Sequence, residues 1–192
     1  MPTRCVWCGN DPLYIDYHDR EWGVPLHDER RLFEMLCLEG AQAGLSWLTI
    51  LKKREGYRQA FANFDIEIVS NFSPAMVTSL TANPAIVRNR LKIASVVNNA
   101  RVVSEIKNQY GSLDNFLWRY TDGVTIHNSW HSHEQIPTQS DLSVHMSKDL
   151  KKLGGKFIGP TICYALMQSI GMVNDHITSC FRYQQLRDST AV

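Results

Sequence analysis

Apolar side chains recur along this chain at the spacing of amphipathic α-helices, and alternating strand patterns are weak throughout. One helix is predicted to open at Asp28, a suitable N-cap residue, and to end at Gly44. One face of this helix should face the core. It carries Leu32, Leu36, Glu39 and Ala43, which are spaced i, i+4, i+7 and i+11. The pattern therefore predicts an all-α fold, with one acidic side chain on a stripe that faces the core.

Capping residues and prolines divide the rest of the chain into further predicted helices. These helices are expected to start at or near Ser46, Asp65, Ser73, position 86, Ser112 and Ser140. The helix from Ser46 extends to about Phe61, and the helix over 86–108 has Lys92 off its apolar stripe, on a face where we expect solvent. Residues 121–139 are polar and contain three histidines, which favours a loop.

A glycine-rich turn separates the helix from Ser140 and the helix that follows it. Gly154 and Gly155 are typical of a tight turn, and Pro160 suits the first position of a helix that runs to Gly171. Backbone N–H groups at such a helix start can bind the phosphates of a nucleic acid. The alternative is an ordinary corner between two helices.

The composition is that of an ordinary globular protein, with 44% hydrophobic and 20% charged residues in 192. The net charge of +1 supplies no global field, so a nucleic-acid site would need a local basic patch. No apolar run is long enough for a membrane span, and we expect a cytoplasmic protein. Five scattered cysteines favour metal binding or plain burial over a disulfide framework.

Glu39 is the first residue that suggests chemistry. Because burial of an unpaired charge is costly, its carboxyl group must be paired, protonated or directed into a pocket. An acid beside Trp47, at a corner between two helices, suits a flat ring that is cationic or carries an amino group. The alternative is a structural ion pair with Arg30, Arg31 or Lys52.

The first 27 residues are rich in aromatic side chains. These include Trp7, Tyr14, Tyr17 and Trp22. Such a segment can fold back to fill a core, or it can line a cleft where flat ligands stack.

Cysteine and histidine residues at the two ends of the chain form a candidate metal site. His176 and Cys180 are spaced i, i+4, which places them on one face if this segment is helical. With Cys5 and His18 they would make a closed tetrahedral zinc set, although Cys8 is a fifth candidate. Buried thiols and surface histidines are the alternative. The pair His131 and His133 is expected to be solvated.

Several of these segments together resemble the bacterial DNA-3-methyladenine glycosylase I family, the constitutive type, over nearly the full length. One motif, which is highly specific in combination with the others, is Leu38-Glu39-Gly40-x-Gln42-Ala43-Gly44-Leu45-Ser46-Trp47. A second motif is Lys156-Phe157-Ile158-Gly159-Pro160-Thr161. The other matching segments are Arg4 to Trp7, Asp11 to Pro25 and Gly171 to His176. The resemblance implies one domain over 1–192 with a helix-hairpin-helix fold, and it places the hairpin at 153–161.

The resemblance also implies residue roles. One structural Zn²⁺ per chain would join the two ends through Cys5, His18, His176 and Cys180. The base pocket would contain Glu39 as the catalytic residue, with Tyr17, Trp47, Trp7, Tyr14 and Trp22. DNA contacts would fall on Leu45 as a wedge and on Gly155, Lys156, Gly159 and Thr161. Asn174 occupies a place where the wider superfamily has a catalytic Asp.

The implied activity is hydrolytic release of 3-methyladenine from alkylated double-stranded DNA, without lyase activity. The expected partners are that DNA and the free base as product, and the expected state is a monomer. Two alternatives remain open at this point. One is a hydrolase with a catalytic zinc, and the other is a non-enzymatic, zinc-stabilised DNA-binding module.

Overall fold

The computed structural model describes residues 2–189, so Met1 and 190–192 of the predicted domain lie outside the described residues. The described residues are mostly helical. The α-helices are α1 Pro12–Arg20, α2 Glu29–Gln42, α3 Trp47–Ala60, α4 Ile66–Ser70, α5 Pro74–Leu80, α6 Arg90–Tyr110, α7 Leu113–Trp118, α8 Asp141–Lys152, α9 Pro160–Ser169 and α10 Phe181–Ser189. Two short strands, β1 Ile126–His127 and β2 Val173–Asn174, pair in parallel.

Helices α1 to α8 each begin directly after a residue whose side chain caps the helix. Each of the predicted caps accepts a backbone N–H of the first turn, namely Asp28, Ser46, Asp65, Ser73, Ser112 and Ser140. The predicted start of α6 at position 86 is wrong, because the cap is Asn89. Helix α1, capped by Asp11 with Pro12 in its first turn, was not predicted although it has the same signal.

Helix α2 lies at the centre of the molecule. Its residues from Leu32 to Ala41 are all buried, and it packs against α3, α6, α7 and α9. Gly40 allows a close approach of the segment before α9, because a Cβ there would lie 3.1 Å from the carbonyl oxygen of Phe157. The helix ends at Gln42, and Gly44, two residues later, has φ +76°, a conformation that favours glycine. Glu39 is thereby carried into the middle of the fold.

The segment before α10 is not helical. His176 and Cys180 both lie between β2 and α10, so the i, i+4 spacing is not what relates them. A single cluster of buried apolar side chains extends from Cys5 to Cys180. Within residues 2–189, no helix is both long enough and apolar enough to cross a membrane.

Candidate functional site

A cavity of about 320 Å³ opens between the N-terminal segment, the α2–α3 corner and the 121–139 loop. Its walls are formed by Trp7, Tyr14, Tyr17, Trp22, Glu39, Gln42, Trp47, His133, Ile136, Pro137, Ala165 and Gln168. All six residues predicted for the base pocket therefore lie on one cavity. Their roles in binding a base stay predictions.

The aromatic walls of this cavity are in mutual contact. The ring centroids of Trp7 lie 5.0 Å from Tyr14 and 4.9 Å from Trp22, and those of Tyr17 and Trp47 are 5.5 Å apart. Tyr17 and Trp47 are buried by this packing. The rings hold one another in place, so a flat ligand would meet preformed surfaces.

Glu39 lies on this cavity without an ion pair. Its side chain is 3% exposed, and within residues 2–189 its Oε2 atom has no hydrogen-bond partner. Burial raises the pKa of Glu39 to about 8, although a hydrogen bond with Ser169 acts in the opposite direction. The carboxyl group is therefore mostly protonated at neutral pH when the cavity holds no cation. It offers an oxygen to a ligand.

The alternative of a structural ion pair at Glu39 is wrong. The three candidate cations pair elsewhere, as Arg30 with Asp65, Arg31 with Glu21 and Lys52 with Asp11. The buried ion pair on α2 belongs to Glu34, whose Oε1 atom lies 2.7 Å from Arg54 Nε and 2.9 Å from Arg58 Nε. Two acids on one helix thus have opposite environments, one neutralised by arginines and one left on the cavity.

The 121–139 loop also contributes to this cavity, which its polar sequence did not indicate. His133, Ile136 and Pro137 form part of its wall. The prediction that His133 is solvated is wrong, because its Nε2 atom is buried and lacks a hydrogen-bond partner in the described chain. Burial lowers the pKa of His133, so the imidazole is neutral. His131 is exposed, as predicted.

A buried acid anchors the loop. Asp175 is almost fully buried, and its Oδ1 accepts hydrogen bonds from Asn128 and Trp130 at 2.7 and 2.8 Å. Its Oδ2 accepts from Tyr164 and Gln168 at 2.7 and 2.8 Å. Four donors satisfy the carboxylate without a formal cation. This arrangement ties the loop to α9, and its signal in the sequence is too dispersed to recognise.

Three of the four predicted metal ligands meet in the fold. The donor atoms of Cys5, His18 and Cys180 lie within 4.8 Å of one another, and all three residues are buried. The ring of His176 lies 5.0 Å from that of His18, centroid to centroid, and its Nε2 is buried without a partner in the part of the chain described. The thiol of Cys8 instead donates to the carbonyl oxygen of Cys5.

Neighbouring side chains fix both imidazoles of this cluster. His18 Nδ1 lies 2.7 Å from Asp19 Oδ1, and His176 Nδ1 lies 3.0 Å from Asn174 Oδ1. Each Nε2 is therefore the nitrogen left to bind a metal. Burial lowers the pKa of His176 to about 3, so its ring is neutral, as a ligand must be.

The residues predicted to contact DNA lie at two turns. Leu45, 40% exposed, follows Gly44 at the α2–α3 corner. Gly155, Lys156 and Gly159 lie in the turn between α8 and α9, and the exposed Thr161 is in the first turn of α9. The predicted helix, turn and helix are thus present.

The amide groups of this turn are only partly available to a ligand. Gly155 N–H donates to Leu150 O, and Lys156 N–H donates to Asn99 Oδ1. Among the hydrogen bonds of residues 2–189 there is none from the N–H groups of Ile158 and Gly159. A phosphate would therefore bind nearer to the start of α9 than to Gly155.

Comparisons with known proteins cover almost the whole chain. The model of a family described as methyladenine glycosylase matches residues 7–183. The protein DNA-3-methyladenine glycosylase 1 of Escherichia coli (strain K12) is 45% identical over 180 residues, which are 94% of this chain and 96% of that protein.

Solved structures give the same result. A crystal structure of 3-methyladenine DNA glycosylase I has a TM-score of 0.91 and 49% identity, covering 93% of this chain and 98% of its own. A variant of such an enzyme in complex with 3-methyladenine has a TM-score of 0.90 and 38% identity, covering 93% and 96%. The family match at 7–183 includes every residue that lines the cavity.

Proposed function

This chain belongs to the methyladenine glycosylase family, and we propose that it excises 3-methyladenine from alkylated double-stranded DNA. The observation that carries the proposal is Glu39, a buried acid without an ion pair on an aromatic cavity within residues 2–189. A non-enzymatic DNA-binding module would have no use for such a cavity. A relative of the same fold was solved with 3-methyladenine bound.

The chemistry asks little of the protein. Alkylation at N3 makes the adenine a cation, so the N9–C1′ bond breaks with its electron pair moving to the base, which leaves neutral. A water oxygen forms the new bond to C1′ and gives its proton to solvent. The enzyme must extrude the nucleotide and hold it. Among the described residues that line the cavity there is no lysine, so we expect no lyase activity.

Tyr17 and Trp47 would hold the flipped base by stacking, with cation–π attraction favouring the methylated ring. Glu39 would accept a hydrogen bond from the exocyclic amino group, which guanine does not present at the same edge. A cationic ring beside Glu39 lowers the pKa of its carboxyl group, so arrival of the lesion would release a proton. This coupling favours the charged lesion over the neutral adenine of intact DNA.

We further propose that Cys5, His18, His176 and Cys180 hold one zinc ion. Two buried thiols, two imidazoles with oriented rings and a His176 Nε2 without a partner among the described residues fit that ion. Four protein ligands would leave no open position, so the ion would supply stability and join the two ends of the chain. This coordination disfavours the alternative of a catalytic zinc hydrolase.

For DNA binding we propose a helix-hairpin-helix mode. The N–H groups of Ile158 and Gly159 would bind a phosphate, and the exposed Lys156 would supply charge beside it. Leu45 would enter the gap that the flipped nucleotide leaves. In this mode one copy of the protein would bind one DNA duplex.

A base-release assay tests the proposed function. Methylated duplex DNA incubated with the protein should release 3-methyladenine, with the strand left intact at the abasic site. The matched control is the Trp47→Ala variant, which should release the base much more slowly while binding undamaged DNA as before. Binding to methylated DNA without any base release would support the non-enzymatic module instead.

A further inference from the structure

Lys92 is a buried lysine that the proposed chemistry does not use. The sequence pattern predicts a solvated position for it, but its side chain is 7% exposed. Its Nζ atom donates to the carbonyl oxygen of Ala41 at 2.8 Å and to that of Ala43. These are the last carbonyls of α2, which no residue of the helix itself can satisfy. A cation is also favoured at a helix C-terminus.

The same helix, α6, also binds the α8–α9 turn. Asn99 donates from Nδ2 to the carbonyl oxygen of Lys156, and its Oδ1 accepts from the N–H of Lys156, both at 2.9 Å. Asn98 adds a hydrogen bond to Gly154 O at 2.9 Å. Asn99 is two helical turns beyond Lys92, about 10 Å along the axis at 1.5 Å per residue. One rigid helix therefore holds two turns.

The two turns that α6 holds are those that carry the proposed DNA contacts. Lys92 fixes the end of α2 directly before Gly44 and Leu45. Asn99 fixes the backbone of Lys156, two residues before Ile158. The α8–α9 turn also approaches α2 directly, since the backbone of Phe157 lies close to Gly40.

We propose that Lys92 and Asn99 are positioning residues for base flipping, which set the distance between the wedge at Leu45 and the phosphate site at the start of α9. This inference rests on the DNA contacts of the proposed function. Extrusion of a nucleotide needs the backbone held at one point while an apolar side chain enters the stack at another. A shift of about 1 Å between two such points can cost about a hundredfold in rate.

A role in stability alone would give a different pattern. Burial of the Lys92 ammonium group is costly, and it lowers the pKa of this side chain. An apolar side chain such as Met could fill the same volume without that cost, so stability alone does not require a lysine here. A lysine that only stabilises the fold would, on mutation, change the melting temperature and leave the ratio of activities on different substrates unchanged. A positioning residue would change that ratio.

The test compares Lys92→Met with Lys107→Met, which removes an exposed lysine of the same helix. Single-turnover excision is measured on methylated duplex and on the same strand without its complement. For Lys92→Met we expect a loss of about 10- to 100-fold on duplex. The loss on single strand should be smaller than threefold, because that base is already unstacked. Lys107→Met should change neither rate.

Further measurements separate this inference from the function on which it rests. Affinity for free 3-methyladenine should stay within about twofold in Lys92→Met, and Asn99→Ala should reproduce the duplex defect. In a Leu45→Ala background, Lys92→Met should cost much less, because the two act on one step. If Lys92→Met does not fold, Lys92→Gln and Asn99→Ala carry the same comparison.

Equal losses on duplex and single strand, or an unchanged duplex rate, would overturn the inference. If Leu45→Ala and Lys156→Ala also leave the duplex rate unchanged, the proposed DNA face is itself wrong. If those two variants are defective and Lys92→Met is not, only the positioning role fails.

Discussion

Asn174 Oδ1 lies 3.0 Å from Nδ1 of His176, so the buried Asn174 holds the imidazole ring of His176 in one orientation. The contact occupies Nδ1 of His176 and leaves Nε2 as the nitrogen that could bind a metal. Asn174 also donates from Nδ2 to the carbonyl oxygen of Tyr183, so an aspartate would fit this position less well. The asparagine is consistent with a substrate whose leaving group is already cationic and needs no catalytic Asp.

The first prediction concerns the contact between Asn174 and His176. Asn174→Ala should weaken zinc binding about 10- to 100-fold, because the ring of His176 loses its orienting partner. Metal affinity is measured by competition with a chromogenic chelator, and free 3-methyladenine affinity serves as the control for an intact pocket. Wild-type metal affinity in Asn174→Ala would show that the contact does not serve the metal.

The second prediction separates the two candidate thiols. Cys180→Ala should lose the metal and lower the melting temperature, whereas Cys8→Ala should keep the metal, because the Cys8 thiol faces a backbone carbonyl. Metal content and thermal melts of both variants provide the measurement.

Removal of the metal with a chelator tests whether the ion is structural or catalytic. Wild-type protein that remains folded after chelation should still release base from methylated DNA if the ion is structural. Metal retained by Cys180→Ala, or an activity abolished by chelation without unfolding, would contradict the closed structural site.

The third prediction concerns the turn before α9. Lys156→Ala should weaken binding to all DNA sequences alike and reduce the salt slope by roughly one unit. The backbone of Lys156 is held by Asn99, so the substitution should leave the turn in place. The control is Lys107→Ala, which removes an exposed lysine of α6. A binding loss that depends on sequence would count against a phosphate contact.

The sequence predicted the helices well because capping is a local effect. A side chain such as Ser140 or Asp28 meets N–H groups only a few residues away, so its role is readable from spacing. The start of α6 was misplaced because Asn83 and Pro84 obscured Asn89, the true cap. The aromatic cavity was predicted from residue types near the chain start together with a family resemblance.

The features that were missed depend on contacts between distant segments. Lys92 is buried because two carbonyls of α2, about 50 residues earlier in the chain, come within its reach. His133 lies on the cavity because Asp175 anchors the loop from the opposite end of the chain. No periodicity along the sequence reports such pairings.

The fourth prediction follows from the raised pKa of Glu39. With a folded-state pKa of about 8 and an unfolded value near 4.5, the folded protein holds one extra proton between these pH values. Stability from this group is thus full below pH 4.5 and falls as the pH rises toward 8, by at most ~1.4 kcal/mol per pH unit. Glu39→Gln should remove this fall. The stability of the variant relative to wild type should therefore increase as the pH rises from 5 to 8.

Urea denaturation of both proteins at pH 5, 6.5 and 8 measures the difference. The rate constant for excision at sub-saturating wild-type protein should also rise with pH up to about 8, the pKa of Glu39 before the lesion binds, and that of Glu39→Gln should be flatter. A stability difference that is constant across this range would show that Glu39 is ionised in the folded protein throughout.

The fifth prediction is that Glu39 recognises the base. Free 3-methyladenine is titrated into wild type and Glu39→Gln at pH 8.5, where the carboxyl group is mostly ionised. Loss of one charge-assisted hydrogen bond costs on the order of 1.5–3 kcal/mol. Base affinity should therefore fall about ten- to a hundredfold.

The matched control for this titration is Glu34→Gln, which removes the other buried acid of α2. Because Glu34 neutralises Arg54 and Arg58, its loss should destabilise the fold and spare base affinity. For Glu39→Gln we expect the reverse, a large loss of 3-methyladenine affinity with unchanged affinity for undamaged DNA. Unchanged base affinity in Glu39→Gln, together with a large drop in melting temperature, would contradict this expectation.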